Sequence, residues 1–442
     1  MHKAHVALAT LLVSAAIVAA EEELSEENRR LRDEIAALKA GDPEAGLRKA
    51  IEDYLAGPRP EEMPAVPATA EYQGGFALRS ADGMHLLRLN LWGRAGWSWL
   101  RDHSEAHGIT QAGFHLHDLR VRLSGHAYSE RLVYLVDLQF SPEDGRFEDD
   151  HEAISEARLT YRRPPWRWLR LRIGKMRPAF TAEEQAADEA LVLAERGLVH
   201  EFFTVGRSLG LAAILEGVRG GRSRAELSIT NGSERFDPAG GFVGDDKRRA
   251  FSFRWARTLV GEGDPSLHIA YEGSPYDDPQ RTLVAGIGIH GEENRIPGSM
   301  PAEFVQATAD LTWRHRGTYA SVQVFLRRNR AGGTPDLGED DDDVGAQAIV
   351  AHFLVPRKFE LAARVGWLDY ASHVDPGGDL IEATVGFNFY WTNEHDRFQG
   401  HRMRVTVDWG YAEHVVQPSG PGGWPEGHGR GWQFRSLVTF LF

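Results

Sequence analysis

Cysteine is absent from this chain of 442 residues, and lysine is scarce, since six of its 50 basic residues are lysines. Without cysteine there is no disulfide framework and no thiolate metal site, a composition compatible with export through an oxidising periplasm. A surplus of positive charge is also lacking, because the formal net charge is −14. Nucleic acid is a polyanion that needs a basic face, so the charge argues against it as a partner.

Long apolar runs are missing too. The hydrophobic content is 42% and the mean hydropathy is −0.39. No apolar run approaches the ~20 residues that a membrane helix needs, which excludes a mature helical membrane protein. The length and composition are compatible with two or three globular domains. They are also compatible with one large membrane barrel, because only every second residue of its strands faces lipid and no long apolar run results.

Residues 1–20 have the pattern of a signal peptide. His2 and Lys3 precede an apolar core at 6–17, and the small residues that a signal peptidase recognises occupy 18–20. The pattern predicts cleavage after Ala20. The alternative is an uncleaved anchor, although the core is too short to cover a bilayer.

Residues 21–40 predict a short periplasmic coiled coil. The d and a positions of its heptads are taken in turn by Leu24, Asn28, Leu31, Ile35 and Leu38. A single polar a residue fixes register and lowers stability. Glu27 and Glu34 then lie at g positions, opposite Arg32 and Lys39 at the e positions of a parallel neighbour. We expect a parallel self-associated bundle; the alternative is one amphipathic helix on the protein's own surface.

Residues 41–73 predict a short helix and a Pro-rich linker. Asp42 is the cap and Pro43 takes the first helical position, ahead of an apolar stripe of Leu47, Ile51 and Leu55. Prolines at 58, 60, 64 and 67 then break the helix into an extended segment.

Residues 74–442 alternate apolar and polar side chains in short stretches, which predicts an all-β fold. Strand candidates cover residues 86–100, 114–128, 132–140, 153–162, 168–176, 208–216, 222–230, 248–257, 267–273, 304–314, 318–328, 345–354, 359–368, 380–391, 401–409 and 432–442. Their number, about 16, is even, as a closed antiparallel transmembrane β-barrel requires. Residues 281–289 are also apolar enough for a strand, but an added strand would make the number odd, so they are assigned to a loop.

The predicted connections alternate between short and long. Short ones cover 129–131, 163–167, 217–221 and 356–358, and long ones cover 102–113, 177–207, 231–247, 274–303 and 330–344. In bacterial barrels the short turns lie on the periplasmic side and the long loops outside. The acidic run 339–343 falls in a long loop, where it is a solvated segment or a weak divalent-cation site.

Aromatic residues mark the predicted strand ends. The tryptophans concerned are Trp97, Trp99, Trp168, Trp255, Trp313, Trp367, Trp391 and Trp409. Their placement is typical of the interfacial girdles of membrane barrels, and burial in a core is the alternative. In the last strand Phe434, Val438, Phe440 and Phe442 share one face. A terminal aromatic residue in such a strand resembles the assembly signal of outer-membrane barrels.

The stretch 168–216 is the centre of the pattern. A strand with Arg170 and Arg172 on one face is followed, after an insertion of about thirty residues, by a second strand. The insertion has too many charged residues to pack in a core and too many apolar residues to be a fully solvent-exposed loop. A loop folded into a wet, protein-walled interior satisfies both demands. Its predicted constriction residues are Arg177, Glu183, Glu195, Arg196 and Arg207.

If the apolar strand faces point to lipid, the opposite faces line a pore and follow from the alternation. The basic pore-lining, anion-binding candidates are Arg88, Arg94, Arg120, Arg122, Arg158, Arg170, Arg172, Arg254 and Arg364. Guanidinium groups can replace part of an anion's hydration with paired donors. The alternative is that cross-strand arginine–carboxylate pairs only rigidify the wall.

The central stretch also carries a family resemblance. The sequence GKMRPAF at 174–180, with Glu183-Glu184, Glu195-Arg196 and Gly206-Arg207 after it, resembles the central signature of the phosphate-selective porins of the O and P type. Further matches in the same order are SADG at 80–83, ELAAR at 360–364 and GFNFY at 386–390. The resemblance implies an outer-membrane porin that assembles as a trimer. It also implies lysines that collect anions near the mouth, and this chain has few lysines.

These observations predict an outer-membrane diffusion channel for small anions, phosphate or polyphosphate among them, constricted by the loop 177–207. Outer-membrane lipid and two further copies of the chain are the expected partners, and no cofactor or metal is expected. The sequence offers little sign of enzymatic activity. His115 and His117 share a strand face, as two metal ligands would, but the sequence places no third ligand beside them. No G-x-S-x-G, Walker or dinucleotide fingerprint occurs. We therefore expect a protein that is not an enzyme. The alternative function is a structural outer-membrane barrel that anchors the periplasmic coiled coil.

Overall fold

The computed structural model describes residues 68–72, 75–102, 110–141, 154–162, 166, 168–218, 220–232, 249–273, 280–293, 303–330, 341–369, 379–391, 403–413 and 430–441. The signal peptide, the coiled coil and the short helix predicted before residue 68 lie outside these residues. None of the helices that the described residues form is long and apolar enough to cross a membrane.

Eighteen strands are present in the described residues. Two short ones come first, β1 (Ala68–Tyr72) and β2 (Phe76–Ser80). The others are β3 (Leu86–Asp102), β4 (Thr110–Ala127), β5 (Ser129–Gln139), β6 (Ile154–Arg162), β7 (Leu169–Met176), β8 (Ser208–Val218), β9 (Ser223–Thr230), β10 (Arg249–Val260), β11 (Thr282–Glu293), β12 (Glu303–His315), β13 (Thr318–Arg330), β14 (Asp341–Val355), β15 (Phe359–Asp369), β16 (Leu380–Tyr390), β17 (Met403–Glu413) and β18 (Arg430–Leu441).

The strands β3 to β18 close into one barrel. Each pairs antiparallel with the next, and β18 pairs back onto β3, with Phe434 opposite Trp99 and Thr439 opposite Arg94. The hairpin of β1 and β2 adds to the first residues of β3, where Phe76 lies opposite Leu89. Closure removes the exposed sheet edges that an open sheet of this size would present. The predicted fold class, a 16-stranded antiparallel barrel, is confirmed.

Helices are few and short in the described residues. The insertion between β7 and β8 contains α1 (Ala182–Gln185), a 3-10 turn at Asp188–Ala190 and α2 (Leu198–Phe203). Thr181 begins α1 as its N-cap, accepting a hydrogen bond from the amide of Glu184. The connection between β10 and β11 contains α3 (Pro265–Ile269), with Asp264 as N-cap.

The strand prediction missed the short strands β1 and β2, and it exchanged a strand and a loop in one place. Residues 267–273 were expected to form a strand and 281–289 a loop, but the first segment begins in α3 and contains no strand, and β11 covers 282–289 of the second. The cap Asp264 and the following Pro265 begin a helix, because proline lacks the amide that a central strand would need. In β11 the residues Leu283 and Ile287 point outward in normal alternation. The total stayed even because the two errors cancelled.

The two ends of the barrel differ in their connections. Short turns join β4 to β5, β8 to β9, β12 to β13 and β14 to β15, and we call this the tight-turn end. Tyr128, Arg316 and Arg357 have positive φ in three of these turns, as sharp reversals require. The opposite end is the long-loop end. The acidic run predicted to be a loop is partly strand, because Asp342 and Asp343 lie in β14, and Asp343 accepts a 2.8 Å hydrogen bond from Arg327.

The barrel wall is apolar outside and polar inside. On β15 and β16 the outward Val365 and Val385 are 57% and 52% exposed, whereas the inward Arg364 is 4% exposed. Exposed aromatic rings meet near both ends of the barrel. At the tight-turn end Trp166 stacks on Trp168, and Phe389 meets Trp391 edge to face. Trp409 and Tyr411 meet Trp432 at the long-loop end. Two such belts are what a membrane-spanning barrel presents to the two interfaces.

Candidate functional site: a passage beside the folded-in insertion

The insertion between β7 and β8, residues 177–207, folds into the barrel and packs against one side of it. Val199 and Phe203 from α2 form an apolar cluster with Phe325, Leu368 and Leu380 on the inner wall. The rings of Phe203 and Phe325 stack with centroids 4.9 Å apart. Apolar side chains that point into a barrel would otherwise contact water, so their burial stabilises the docked insertion.

A second apolar cluster holds the middle of the insertion. Val192 and Leu193 pack with Tyr319, Ile349 and Ala362 from β13, β14 and β15. The inner wall from β13 to β16 is therefore less polar than an aqueous pore wall because it is the docking surface of the insertion.

Wall side chains satisfy the backbone of the insertion. The amide of Ala194 donates to Asp408 at 2.9 Å, and the carbonyl of Val192 accepts from Asn388 at 2.7 Å. Arg364 donates to the carbonyl of Glu195 at 2.7 Å. An irregular segment inside a barrel needs such partners, because an unpaired buried backbone group is destabilising.

Further contacts fix the start of the insertion and the start of α2. Arg254 donates to the carbonyl of Phe180 at 2.9 Å and pairs with Asp310 at 2.7 Å. The backbone of Phe180 passes so close to β11 that a Cβ on Gly288 would lie 2.2 Å from its carbonyl oxygen. The amide of Leu198 donates to Glu382 at 3.0 Å.

Asp188 is the ionic centre of the insertion. Its carboxylate lies 2.7 Å from Arg177, 2.5 Å from Arg196 and 2.8 Å from Arg120, with Arg207 at 3.7 Å. Burial alone would raise the pKa of Asp188, but the four guanidinium groups outweigh burial and hold that pKa well below its usual range. Asp188 therefore stays ionised and ties the 3-10 turn to β4.

The insertion also meets the connection that comes from the opposite end of the barrel. The amide of Ala187 donates to the carbonyl of Ala270 at 3.1 Å, and the amide of Glu272 donates to Ala190 at 3.0 Å. The carboxylate of Glu272 accepts a 2.9 Å bond from the amide of Val192. The insertion thus extends from the long-loop end down to residues that follow α3, and it fills one side of the barrel over this depth.

Water reaches the inner wall on the other side. The side chains of Arg122, Arg158 and Arg170 on β4, β6 and β7 are 27%, 26% and 35% exposed. Those of Arg94 and Arg364, beneath the insertion, are 5% and 4% exposed. All of these arginines point inward, so the contrast places the solvent-accessible part of the interior between the insertion and the wall of β4 to β9.

The arginines of this accessible wall are paired with carboxylates. A chain of alternating charge runs from Arg170 through Glu216, Arg224 and Glu226 to Arg172, with 2.5 Å between Glu216 and Arg224 and 2.9 Å between Glu226 and Arg172. Each of these guanidinium groups contacts a carboxylate, which replaces the hydration that the group loses inside the barrel. The carboxylates also largely offset the positive charge of the wall.

Nearer the insertion the same pairing recurs. Arg158 lies 3.5 Å from Glu156. Arg122 contacts both Asp137 on the wall, at 2.8 Å, and Glu189 on the insertion, at 2.7 Å. Arg122 is therefore a strut between the wall and the insertion as well as a residue of the passage.

The predicted pore-lining arginines all lie on the inner face, but they divide into two groups. Arg122, Arg158, Arg170 and Arg172 border the accessible space, and Arg88 is half-buried on the inner face of β3. In contrast, Arg94, Arg120, Arg254 and Arg364 are sealed against the insertion. The alternation of β-strands assigns the face, whereas the division depends on where the insertion docks.

The predicted constriction residues also differ in their surroundings. Arg177, Arg196 and Arg207 surround Asp188, and Glu183 is buried against Gln347. Glu195 is 15% exposed and contacts His117. Asp188 and Glu189 were not selected from the sequence. Their position in an acidic pair within a segment rich in arginine is the signal that could have identified them.

A serine, a histidine and a glutamate meet on the inner face without forming an accessible site. Ser252 Oγ lies 2.7 Å from His290 Nδ1, and His290 Nε2 lies 3.4 Å from Glu292. The rings of Phe180 and Phe304 cover the imidazole, and none of the three polar side chains is more than 4% exposed. A hydrolase nucleophile must reach its substrate, so this cluster fits a structural role.

Comparison with known proteins supports the fold. Neither family models nor curated proteins match the sequence. An anion-selective porin from Comamonas acidovorans is similar in structure, with a TM-score of 0.52 and 11% identity over 80% of this chain and 100% of that chain. OmpF of Salmonella typhi gives 0.52 and 9% over 85% and 100%. The outer membrane channel DcaP of Acinetobacter baumannii gives 0.50 and 10% over 83% and 99%. The fold is that of the porin barrels.

Proposed function

We propose that this protein is an outer-membrane diffusion channel for small anions, and that solutes pass between the insertion and the wall of β4 to β9. The observation that carries the proposal is the contrast in side-chain exposure, 27% for Arg122 against 4% for Arg364, although both arginines contact the insertion. A barrel filled evenly would bury both arginines alike. Outward apolar faces and two aromatic belts support a location in a membrane.

The preference for anions rests on the arginines of the passage. Guanidinium groups offer rigid paired donors to phosphate and carboxylate, and their field is strongest where water is thin. Because Arg170, Arg172 and Arg158 have carboxylate partners, we expect a modest preference and no strong selection of phosphate. The similar barrel from Comamonas acidovorans is an anion-selective porin, which is consistent with this proposal.

Planar-bilayer recording in a KCl gradient tests the function. Stable conductance steps with an anion-selective reversal potential are expected. The preference should grow as salt is raised, because screening weakens the charges of exposed loops more than those of the passage, over a length of about 10 Å at 0.1 M. If well-folded protein gives no conductance steps, the channel function is refuted. Cation selectivity at high salt would refute the preference for anions.

One observation favours a second candidate, a structural barrel that anchors the predicted coiled coil. The inner side chains of β10 to β18 are sealed, as Asn388 and His290 at 0% exposure illustrate. A barrel so largely filled could be closed to solutes. The same recording separates the two, since folded protein without conductance steps would support the anchor.

We propose in addition that the protein is a homotrimer with its coiled coil in the periplasm. The supporting pattern is the predicted pairing of Glu27 with Arg32 and of Glu34 with Lys39 between parallel helices. Light scattering of the detergent-solubilised full chain checks the stoichiometry, and a monomer at all concentrations would contradict it.

A further inference from the structure

A separate cavity opens on the inner face of the barrel at the tight-turn end. Its volume is about 510 Å³, within the usual range of small-molecule sites. The lining residues are Arg79, Leu86, His126, Ser129, Glu130, Arg131, Val133 and Arg162. They come from β2, β3, β4, β5 and β6.

Strand register places the lining residues side by side. Arg79 lies opposite Leu86, Leu86 opposite His126, and His126 opposite Val133. Arg162 ends β6, two residues beyond Thr160, which lies opposite Val133. The cavity floor is therefore a rigid piece of barrel sheet, and its side chains share the face that carries the arginines of the passage.

The arginines of this cavity differ from those of the passage because they have no ionic partner among the described residues. In the part of the chain that the structure describes, the guanidinium groups of Arg79, Arg131 and Arg162 form neither an ion pair nor a hydrogen bond. Glu130 is the one carboxylate among the lining residues. Three guanidinium groups against one carboxylate leave the cavity with a positive charge that the passage lacks.

The turn between β2 and β3 fixes one edge of the cavity. Asp82 accepts bonds from Ser80 Oγ at 2.5 Å and from the amide of Met84 at 2.9 Å, which locks the turn. The carbonyl of Gly83 lies 2.9 Å from His126 Nε2, so this nitrogen carries the proton and the ring is held in place. Leu86 and Val133 add an apolar surface beside the cationic groups.

We propose that this cavity binds the phosphate or carboxylate group of a small anionic solute, and that it is the strongest anion site of the pore. The inference deepens the proposed channel function and rests on it only for the source of the solute. Pairing with carboxylates weakens the passage as a binding site, whereas the unpaired guanidinium groups of the cavity can donate paired bonds to an oxyanion. The apolar surface favours an anion with a hydrocarbon or aromatic part.

A cavity at one end makes binding asymmetric. An anion added from the tight-turn side reaches Arg131 and Arg162, both exposed, without crossing the constriction. An anion from the other side must first pass the insertion. We therefore expect a bound anion to reduce channel current more strongly when it is added at the tight-turn side.

Equilibrium binding to the purified full chain tests the site without requiring conductance. Isothermal titration with pyrophosphate and, separately, with benzoate distinguishes phosphate from carboxylate chemistry. Arg79→Gln, Arg131→Gln and Arg162→Gln should each weaken binding of the preferred probe by roughly tenfold or more, because each removes a charge-assisted donor. Arg357→Gln is the matched control, since it removes the same charge from another turn at the same end.

Three results decide the matter. Binding that falls in the cavity variants and not in Arg357→Gln supports the site. Absence of binding, or an equal loss in Arg357→Gln, overturns it. If the wild-type protein binds the probe but never conducts, the channel function fails and the site stands; if it conducts with anion preference but the cavity variants bind and conduct unchanged, the site fails and the channel stands.

Discussion

Individual charged side chains inside the barrel act in pairs, and Arg172 shows what one pair contributes. It lies 2.9 Å from Glu226, which is 3% exposed. We predict that Arg172→Gln leaves Glu226 short of a donor, lowers stability by about 1–3 kcal/mol and shifts the reversal potential toward cations. Urea unfolding in detergent and the KCl gradient measure the two effects.

The control for this change is Arg328→Gln on an exposed pair. Arg328 lies 3.8 Å from Asp342, and both side chains are more than 60% exposed. Its loss should alter stability by no more than about 0.5 kcal/mol, as is usual for surface ion pairs. Equal losses in the two variants would show that the inner pair has no special role.

Glu195 gives the passage a pH dependence. Burial raises its pKa to about 7, although Arg94 and Arg435 oppose the rise. The carboxyl is neutral below that pH and negative above it, so anion preference should fall as the pH rises through about 7. Because the folded pKa lies above the ordinary 4.5, ionisation also opposes folding, so stability falls as the pH rises from about 4.5 to about 7 and levels off above that.

Reversal potentials on either side of neutral pH check this prediction, and Glu195→Gln should remove most of the change. Glu272 is the matched control, because burial also raises its pKa to about 7 while the carboxylate is held under the insertion by the amide of Val192. Glu272→Gln should leave the pH dependence of selectivity in place. If the pH dependence of the reversal potential persists in Glu195→Gln, another titrating group is its source.

The inner or outer face of each charged residue could be read from the sequence, but its exposure could not. Arg158 and Arg364 both follow from alternation, yet their side chains are 26% and 4% exposed. The difference arises because Arg364 donates to the carbonyl of Glu195, and that contact depends on how the insertion crosses the barrel. Local periodicity carries no information about such a contact.

At the scale of whole segments, the position of the insertion depends on a close approach between its backbone and β11. A Cβ at Gly288 would meet the carbonyl of Phe180 at 2.2 Å, so we predict that Gly288→Ala displaces the first residues of the insertion. The backbone cannot rotate away as a side chain could, and overpacking of this kind costs about 1–3 kcal/mol. The variant should lose heat resistance of the folded barrel on gels and show altered conductance.

Gly113→Ala is the control at a glycine of β4. A Cβ there has nothing within 4 Å, so both measurements should match wild type. If Gly288→Ala behaves like Gly113→Ala, the insertion is not held against β11 at Phe180.

Strands with an apolar outer face were predictable in most of the barrel, and the rejection of β11 has a physical reason. β11 is recognisable from Leu283 and Ile287, but the count of strands was used to reject it while 267–273 was accepted. The capping pair Asp264-Pro265 marks a helix more surely than a short apolar run marks a strand. The requirement for an even number of strands limits how many there are, but it does not show which segments form them.

The barrel as a whole should have a fixed orientation. Short turns of bacterial barrels face the periplasm, so the turn at Gly220 should be inside the cell envelope and the end of β15 at Asp369 outside. We predict that a membrane-impermeant maleimide labels Asp369→Cys on intact cells and labels Gly220→Cys only after the outer membrane is opened. The absence of native cysteine gives a clean background. Labelling of Gly220→Cys on intact cells would reverse the orientation.

The docking of the insertion has a consequence for the order in which the protein can be built. Ala194 is bonded to Asp408, 214 positions later in the chain, and Val192 to Asn388, 196 positions later. The insertion is therefore synthesised long before its anchors exist. Until β13 to β16 arrive, Phe202 and Phe203 have no wall to cover them, and contacts between such distant residues form slowly. We therefore expect this segment to need protection from aggregation during that interval, and a chain cut short before β13 would carry it exposed.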